Sequence, residues 1–348
     1  MSLLALLLFV PVRAGTAIRV TPAGFVGKEP QVAASGARVF VACGNGDALF
    51  VLRSTDGGSS FSQPVALPTA GKLALGMRRG PRIALAGKTV VVSAIYGAKG
   101  GGADGELVSW RSTDDGQTWK GPSRVSDVPG AAREGLHAMT ASSTGRLACA
   151  WLDLRGKGTE VWLSTSDDGG ANWSKNALVY RSPSGTVCEC CHPSVAFGKD
   201  GRVHVMFRNW LGGSRDMYLA TSGDGGKTFD AAEKLGAGTW PLNACPMDGG
   251  ALAVRADGAV ETVWRRGNKV FLCAPRKIER ELGDGTQPWI ASDGRTSRAV
   301  WLNAEGKVRA TDGRTFSGGQ DPVVASVAGR GLAFWADRSG RVWAQPLP

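Results

Sequence analysis

Seven near-copies of one short pattern divide this chain, and such a period restricts the fold to architectures built from repeated units. Pro-x-Val/Ile-Ala or a close variant stands at Pro30, Pro81, His137, Pro193, Gly250, Pro288 and Pro322. After each comes an alternating strand that usually ends in an aromatic, as in Leu147-Cys149-Trp151, Val203-Val205-Phe207 and Val260-Thr262-Trp264. Trp301 and Trp335 close the same strand in the last two copies. Alternation with period two marks a half-buried strand. A third strand follows, near 49–51, 107–109, 161–163, 217–219 and 270–272, with shorter versions near 308–310 and 342–344. Copies spaced 34 to 57 residues apart, each of three or four strands, predict propeller blades. The expected fold is therefore an all-β propeller of four-stranded blades. Seven blades fit the count, and six would require two short C-terminal copies to merge. Fifty Gly and twelve Trp, with only 20% charged residues, suit many short strands joined by tight turns.

In the first four copies the third strand runs into a nearly constant turn. It reads Ser54-Thr-Asp56-Gly-Gly58-Ser-Ser60-Phe61, then Ser112-Thr-Asp114-Asp-Gly116-Gln-Thr118-Trp119. The next two are Ser166-Asp-Asp168-Gly-Gly170-Ala-Asn172-Trp173 and Ser222-Gly-Asp224-Gly-Gly226-Lys-Thr228-Phe229. An Asp side chain accepts hydrogen bonds from amides a few residues on, and Gly supplies the positive φ of a tight hairpin. Asp56, Asp114, Asp168 and Asp224 thus read as turn stabilisers, with the terminal aromatic packing back on the sheet. This Ser-x-Asp-x-Gly-x-Thr-Trp pattern resembles the Asp box, or bacterial neuraminidase repeat, of the sialidase superfamily. The resemblance implies a sialidase-like propeller. It names no reaction, because Asp boxes occur in proteins of several functions.

The final copy has only three strands before Pro348, and residues 17–22 resemble the outer strand around Pro122–Ser126. The N-terminal strand is expected to complete the last blade and close the ring, which removes exposed sheet edges. Ahead of it, residues 2–10 are apolar and are followed by small residues, with cleavage fitting after Ala14 or Ala17. Residues 1–17 therefore read as a signal peptide and 18–348 as one propeller domain, exported to a periplasm or the extracellular space. No segment has the length of a membrane helix. The formal charge is +11. Its Lys and Arg are scattered with no aromatic–basic run, so a nucleic-acid groove is not expected. An acidic small molecule, a glycan or a protein partner is.

In a propeller, the loops entering each innermost strand share a face with those between second and third strands. That places Glu134, His137, Arg208, Arg215, Asp216 and Arg265 on one face as candidates to bind a ligand. The densest feature is Cys188-Glu189-Cys190-Cys191-His192 entering the fourth blade, opposite Cys245-Pro246-Met247-Asp248 entering the fifth. Adjacent blades are expected to bring Cys188, Cys190, Cys191, His192, Cys245 and Met247 together. In an oxidising compartment the ordinary outcome is two disulfides. The other is a soft metal, copper or zinc, on thiolates and His192, with Met247 as a further ligand. The remaining cysteines, Cys43, Cys149 and Cys273, read as small buried hydrophobes.

The sialidase resemblance implies three arginines around a carboxylate, a late Tyr nucleophile and an acidic proton donor. Arg82, Arg208 and Arg265 occupy positions for the clamp, and Asp216 or Asp153 for the acid. The Arg-Ile-Pro signature is absent, however. The only tyrosines are Tyr96, Tyr180 and Tyr218, none of them late. A divergent glycoside hydrolase would have to draw on Glu134, Glu189, Asp216 or Asp248. The sequence therefore favours a binding or scaffold propeller with an Arg- and Cys/His-lined face, with a glycoside hydrolase as the alternative.

Overall fold

The computed structural model describes residues 16–100 and 103–347. The expected leader falls outside these residues except for Thr16 and Ala17. Seven sheets surround one axis. Blade one is Lys28–Ser35, Arg38–Asn45, Ala48–Ser54 and Val65–Ala66. Blade two is Arg82–Ala86, Thr89–Gly97, Glu106–Ser112 and Lys120–Arg124, with Lys72–Leu73 added to the free end of its second strand. Blades three, four and five begin at His137, Ser194 and Ala251. Blade six (Thr286–Ser292 through Thr315–Gly318) is complete, which excludes the six-blade alternative.

Blade seven takes three strands from the C-terminus and its fourth from Ile18–Arg19. Ile18 faces Ala344 and Arg19 faces Trp343. The two chain ends are thus hydrogen-bonded into one sheet, and the ring has no open seam.

Except in blade one, whose second strand ends Cys43-Gly44-Asn45, the blades pack on a neighbour through the aromatic end of the second strand. Trp151, Trp301, Trp335 and Phe207 are fully buried and Trp264 nearly so. A buried Trp removes roughly 200 Å² of mostly apolar surface, a gross gain of about 5 kcal/mol. Toward the axis the innermost strands converge, and Ala33, Ala84, Ala138 and Ala325 are among the residues lining an axial cavity of about 330 Å³.

The Asp boxes form their hydrogen bonds as expected. In blade three the Asp168 Oδ1 accepts from the backbone N–H of Ala171 and Asn172 at 3.0 and 2.9 Å, and from Ser166 Oγ at 2.9 Å. Ser166 Oγ in turn accepts the Gly170 N–H at 2.9 Å. The box aromatics differ from the expectation in one respect: they pack on the preceding blade. Trp173 Nε1 donates to Ser109 Oγ of blade two at 2.9 Å, and Phe61 lies edge-on to Phe334 of blade seven. The box is therefore both a turn and a tie between blades. Among the described residues no helix is long and apolar enough to cross a membrane.

Candidate functional site

The site face carries the loops entering the innermost strands. In blades one, six and seven the residue before the motif proline is left-handed: Glu29 at φ 52°, Gln287 at 56° and Asp321 at 52°. Each sits at a shift in strand register that lets the chain bulge. Glu29 Oε2 accepts the N–H groups of Gly76 and Gly80 at 2.9 and 2.8 Å and so fixes the loop before blade two. Burial, then the nearby Asp321 carboxylate, raises the Glu29 pKa.

From that loop Arg78 reaches across to the far blades. Its Nη2 donates to the carbonyls of Gln287 and Pro322 at 2.9 and 3.2 Å, and its guanidinium lies 5.4 Å from the Trp289 ring centre. His192 of blade four stacks on the same indole at 5.9 Å. Burial, with Arg82 and Arg78 close by, keeps that imidazole neutral. Side chains of three separate blades thus meet over the end of the axis, and His192 belongs to this cap.

Beside the cap lies the cysteine loop. Cys188 N–H donates to the Arg208 carbonyl at 3.1 Å, and Val187 N–H to the Thr159 carbonyl at 3.0 Å, which pins the loop to blades three and four. The three sulfurs form a triangle: Cys188–Cys190 3.6 Å, Cys188–Cys191 3.4 Å and Cys190–Cys191 3.9 Å. Cys188 and Cys191 are buried and Cys190 half-buried. Arg215 Nη1 donates to Cys188 Sγ at 3.0 Å, with its guanidinium over the Trp210 ring. Hydrogen bonding with Cys190 and Cys191, helped by Arg208 and Arg215, pulls the Cys188 thiol far down. Burial pushes Cys191 up to about 12. Among the described residues these three make the one group of three or more Cys, His, Asp or Glu with ligand atoms at metal-binding separation.

All seven cysteines are free thiols, so the two expected disulfides are not formed. Cys245 is exposed and stands outside the triangle, as does His192. Met247 lies in the same entry loop as Cys245, left-handed at φ 57°. The two loops are nevertheless in contact. A Cβ on Gly249 would lie 1.9 Å from the His192 carbonyl oxygen, so only glycine fits there.

The sequence profile of the BNR repeat-like domain matches residues 87–266. The chain belongs to the BNR repeat family. Solved structures agree on a sialidase-like propeller. A protein of unknown function from Dyadobacter fermentans DSM 18053 aligns over 96% of this chain and 98% of its own, at 18% identity and a TM-score of 0.59. The Penicillium chrysogenum α-L-arabinanase, solved with arabinobiose, aligns over 96% and 98% at 12% identity and 0.56. The intramolecular trans-sialidase of Ruminococcus gnavus, solved with oseltamivir carboxylate, aligns over 92% and 94% at 13% identity and 0.51. At such identities the likeness is one of fold. No curated protein matches the sequence.

In this BNR propeller the residues placed for a carboxylate clamp are engaged elsewhere. Arg208 is buried and donates to the carbonyls of Asp248, Arg215 and Arg265 at 2.8 to 3.2 Å. Arg82 donates to those of Arg78, Gly80 and Pro81. Arg265 is half-buried, 3.8 Å from Asp248 Oδ2 and over the Trp240 ring. Asp216 accepts from Trp240 N, Thr239 Oγ1 and Lys234 Nζ, which occupies both oxygens. Asp153 is likewise held by Trp151 Nε1 and Arg155. His137 is fully buried with Nε2 3.0 Å from Ser93 Oγ. Glu134 is half-buried; desolvation first and the Glu189 carboxylate second raise its pKa. The tyrosines pack: Tyr180 lies 4.7 Å from Phe207, Tyr218 is stacked on Phe207, and Tyr96 is buried. Trp289 and Gln287, central to the cap, were not singled out from the sequence; the motif-entering position before each proline was the available signal.

Proposed function

We propose that this BNR propeller is an exported binding protein whose site is the Cys188–Cys191 loop with its surrounding arginines, and that it holds one soft metal ion, copper or zinc. The observation that carries the reading is the sulfur triangle. A metal–thiolate bond of about 2.3 Å in a tetrahedral arrangement separates neighbouring sulfurs by about 3.8 Å, close to the 3.4–3.9 Å found here. An odd number of adjacent thiols also argues against simple oxidation, since any one disulfide within the triangle strands a third buried or half-buried thiol. Export rests on the apolar leader of the sequence.

The test is metal content by mass spectrometry on full-length protein produced in a periplasm and purified without chelator. The expected result is near one equivalent of copper or zinc, lost in Cys190→Ser while the circular dichroism spectrum is unchanged. Absence of metal after reconstitution with either ion would overturn the reading. Turnover of an arabinan or sialoside that disappears in Glu134→Gln would put the glycoside hydrolase in its place.

A further inference from the structure

Resting on that metal-site reading, we infer that the resident ion is monovalent copper, held by three thiolates with arginine counter-charge. Two features of the site select between copper(I) and zinc. The first is coordination number. Zinc closes its structural sites with four protein donors, and with only three it takes a water as the fourth ligand. Here Cys188, Cys190 and Cys191 have no further Cys, His, Asp or Glu among the described residues that completes a tetrahedron. The nearest candidates in sequence stand outside the triangle: Glu189 accepts from Thr186 Oγ1 at 3.0 Å, His192 stacks on Trp289, and Cys245 is exposed on its own loop. Copper(I) is satisfied by three thiolates.

The second is charge. Three thiolates and a monovalent ion leave a net charge of minus two. Arg215, with Nη1 3.0 Å from Cys188 Sγ, supplies one positive charge, and the buried Arg208, whose guanidinium charge also acts on the Cys188 sulfur, supplies the other. Counted over the buried groups, the balance closes on a monovalent ion; the Glu189 carboxylate between the ligands is exposed, where water screens it. A divalent ion in the same shell leaves an unmatched positive charge in a largely buried site, which is costly. Thiolate softness suits copper(I) and zinc alike, so coordination number and charge make the choice. The half-buried Cys190 gives the shell one open edge through which an ion can be exchanged, while Cys188 and Cys191 are closed off from water. On binding, Cys190 and Cys191 give up their thiol protons to solvent, and no electron is transferred when the ion arrives as copper(I).

The experiment is an anaerobic titration of the reduced full-length protein with copper(I) against a coloured copper(I) chelator, with zinc titrated in parallel. X-ray absorption then counts the sulfur neighbours of the bound ion. One equivalent of copper(I), three sulfur neighbours and no displacement by tenfold zinc are expected. Arg215→Gln should weaken copper(I) about 10- to 100-fold, as loss of an outer-shell partner does. Arg215→Lys, which keeps the charge, should recover part of that, with folding of both variants checked by circular dichroism. Zinc bound in place of copper, with four ligands and released by Cys245→Ser, would overturn the copper assignment and leave the metal site standing. Binding of neither ion would overturn both. Copper(I) affinity unchanged in Arg215→Gln would refute the charge argument.

Discussion

The Asp box is named for its aspartate, yet in this protein the serine two residues earlier should matter more to stability. Ser166 is 2% exposed, and its Oγ accepts the N–H of the buried Gly170 at 2.9 Å. Ser166→Ala leaves that N–H buried without a partner, because the turn is closed and no water reaches it. An orphaned buried donor costs about 1–3 kcal/mol, so a loss of about 2 kcal/mol is expected. The Asp168 carboxylate is exposed. The N–H groups of Ala171 and Asn172 that it accepts at 3.0 and 2.9 Å lie at the surface, where water replaces it. For Asp168→Ala the screened, solvent-replaceable interactions therefore amount to under about 1 kcal/mol. The assay is equilibrium urea unfolding followed by tryptophan fluorescence, with thermal melts alongside. At about 2–4 °C per kcal/mol for chains of 150–250 residues, Ser166→Ala should lower Tm by about 4–8 °C and Asp168→Ala by half of that or less. The same ranking should hold in the fourth box, where Ser222 accepts the Gly226 N–H at 2.7 Å. An Asp168→Ala loss equal to or larger than that of Ser166→Ala would refute the reasoning.

Arg208 and Arg265 follow the strand-ending aromatic in successive blades, but Arg208→Met should cost about 3 kcal/mol or more in urea unfolding by orphaning three buried carbonyls, against about 1 kcal/mol for the half-buried Arg265→Met. Gly249→Ala, whose Cβ would sit 1.9 Å from the His192 carbonyl, should displace the cysteine loop and lower metal content while the far Asp boxes keep their hydrogen-exchange protection. Burial pushes the Asp168 carboxyl up, but hydrogen bonds from Asn172, Ser166 and Ala171 outweigh it and hold it at about 2. Its contribution to stability is therefore full above the unfolded value of about 3.9 and is lost as pH falls from there through 2. Melts between pH 5 and 2 should fall less steeply in Asp168→Asn.

The sequence alone determined the architecture. Blade number, strand alternation, the four turns and closure of blade seven by residues near Ile18 are written in patterns shorter than one repeat, because alternation and turn chemistry act between residues close in the chain. Cys188, Cys190 and Cys191 were legible as a group for the same reason, lying within four positions. What the tertiary structure decided is everything that depends on contacts between blades. Arg78 donates to the carbonyl of Gln287, 209 residues away, and no local signal marks that pairing. His192 turns from the cysteines to Trp289 of another blade, and Cys245 stays outside the triangle although its loop touches the fourth-blade loop at Gly249. Arg208 is buried where Arg265 is half-buried because Arg208 lies within reach of the Asp248, Arg215 and Arg265 carbonyls that only packing brings together. A repeat encodes the blade many times over. The direction in which each entry loop turns its side chains is encoded once, in the packing of one blade against its neighbours.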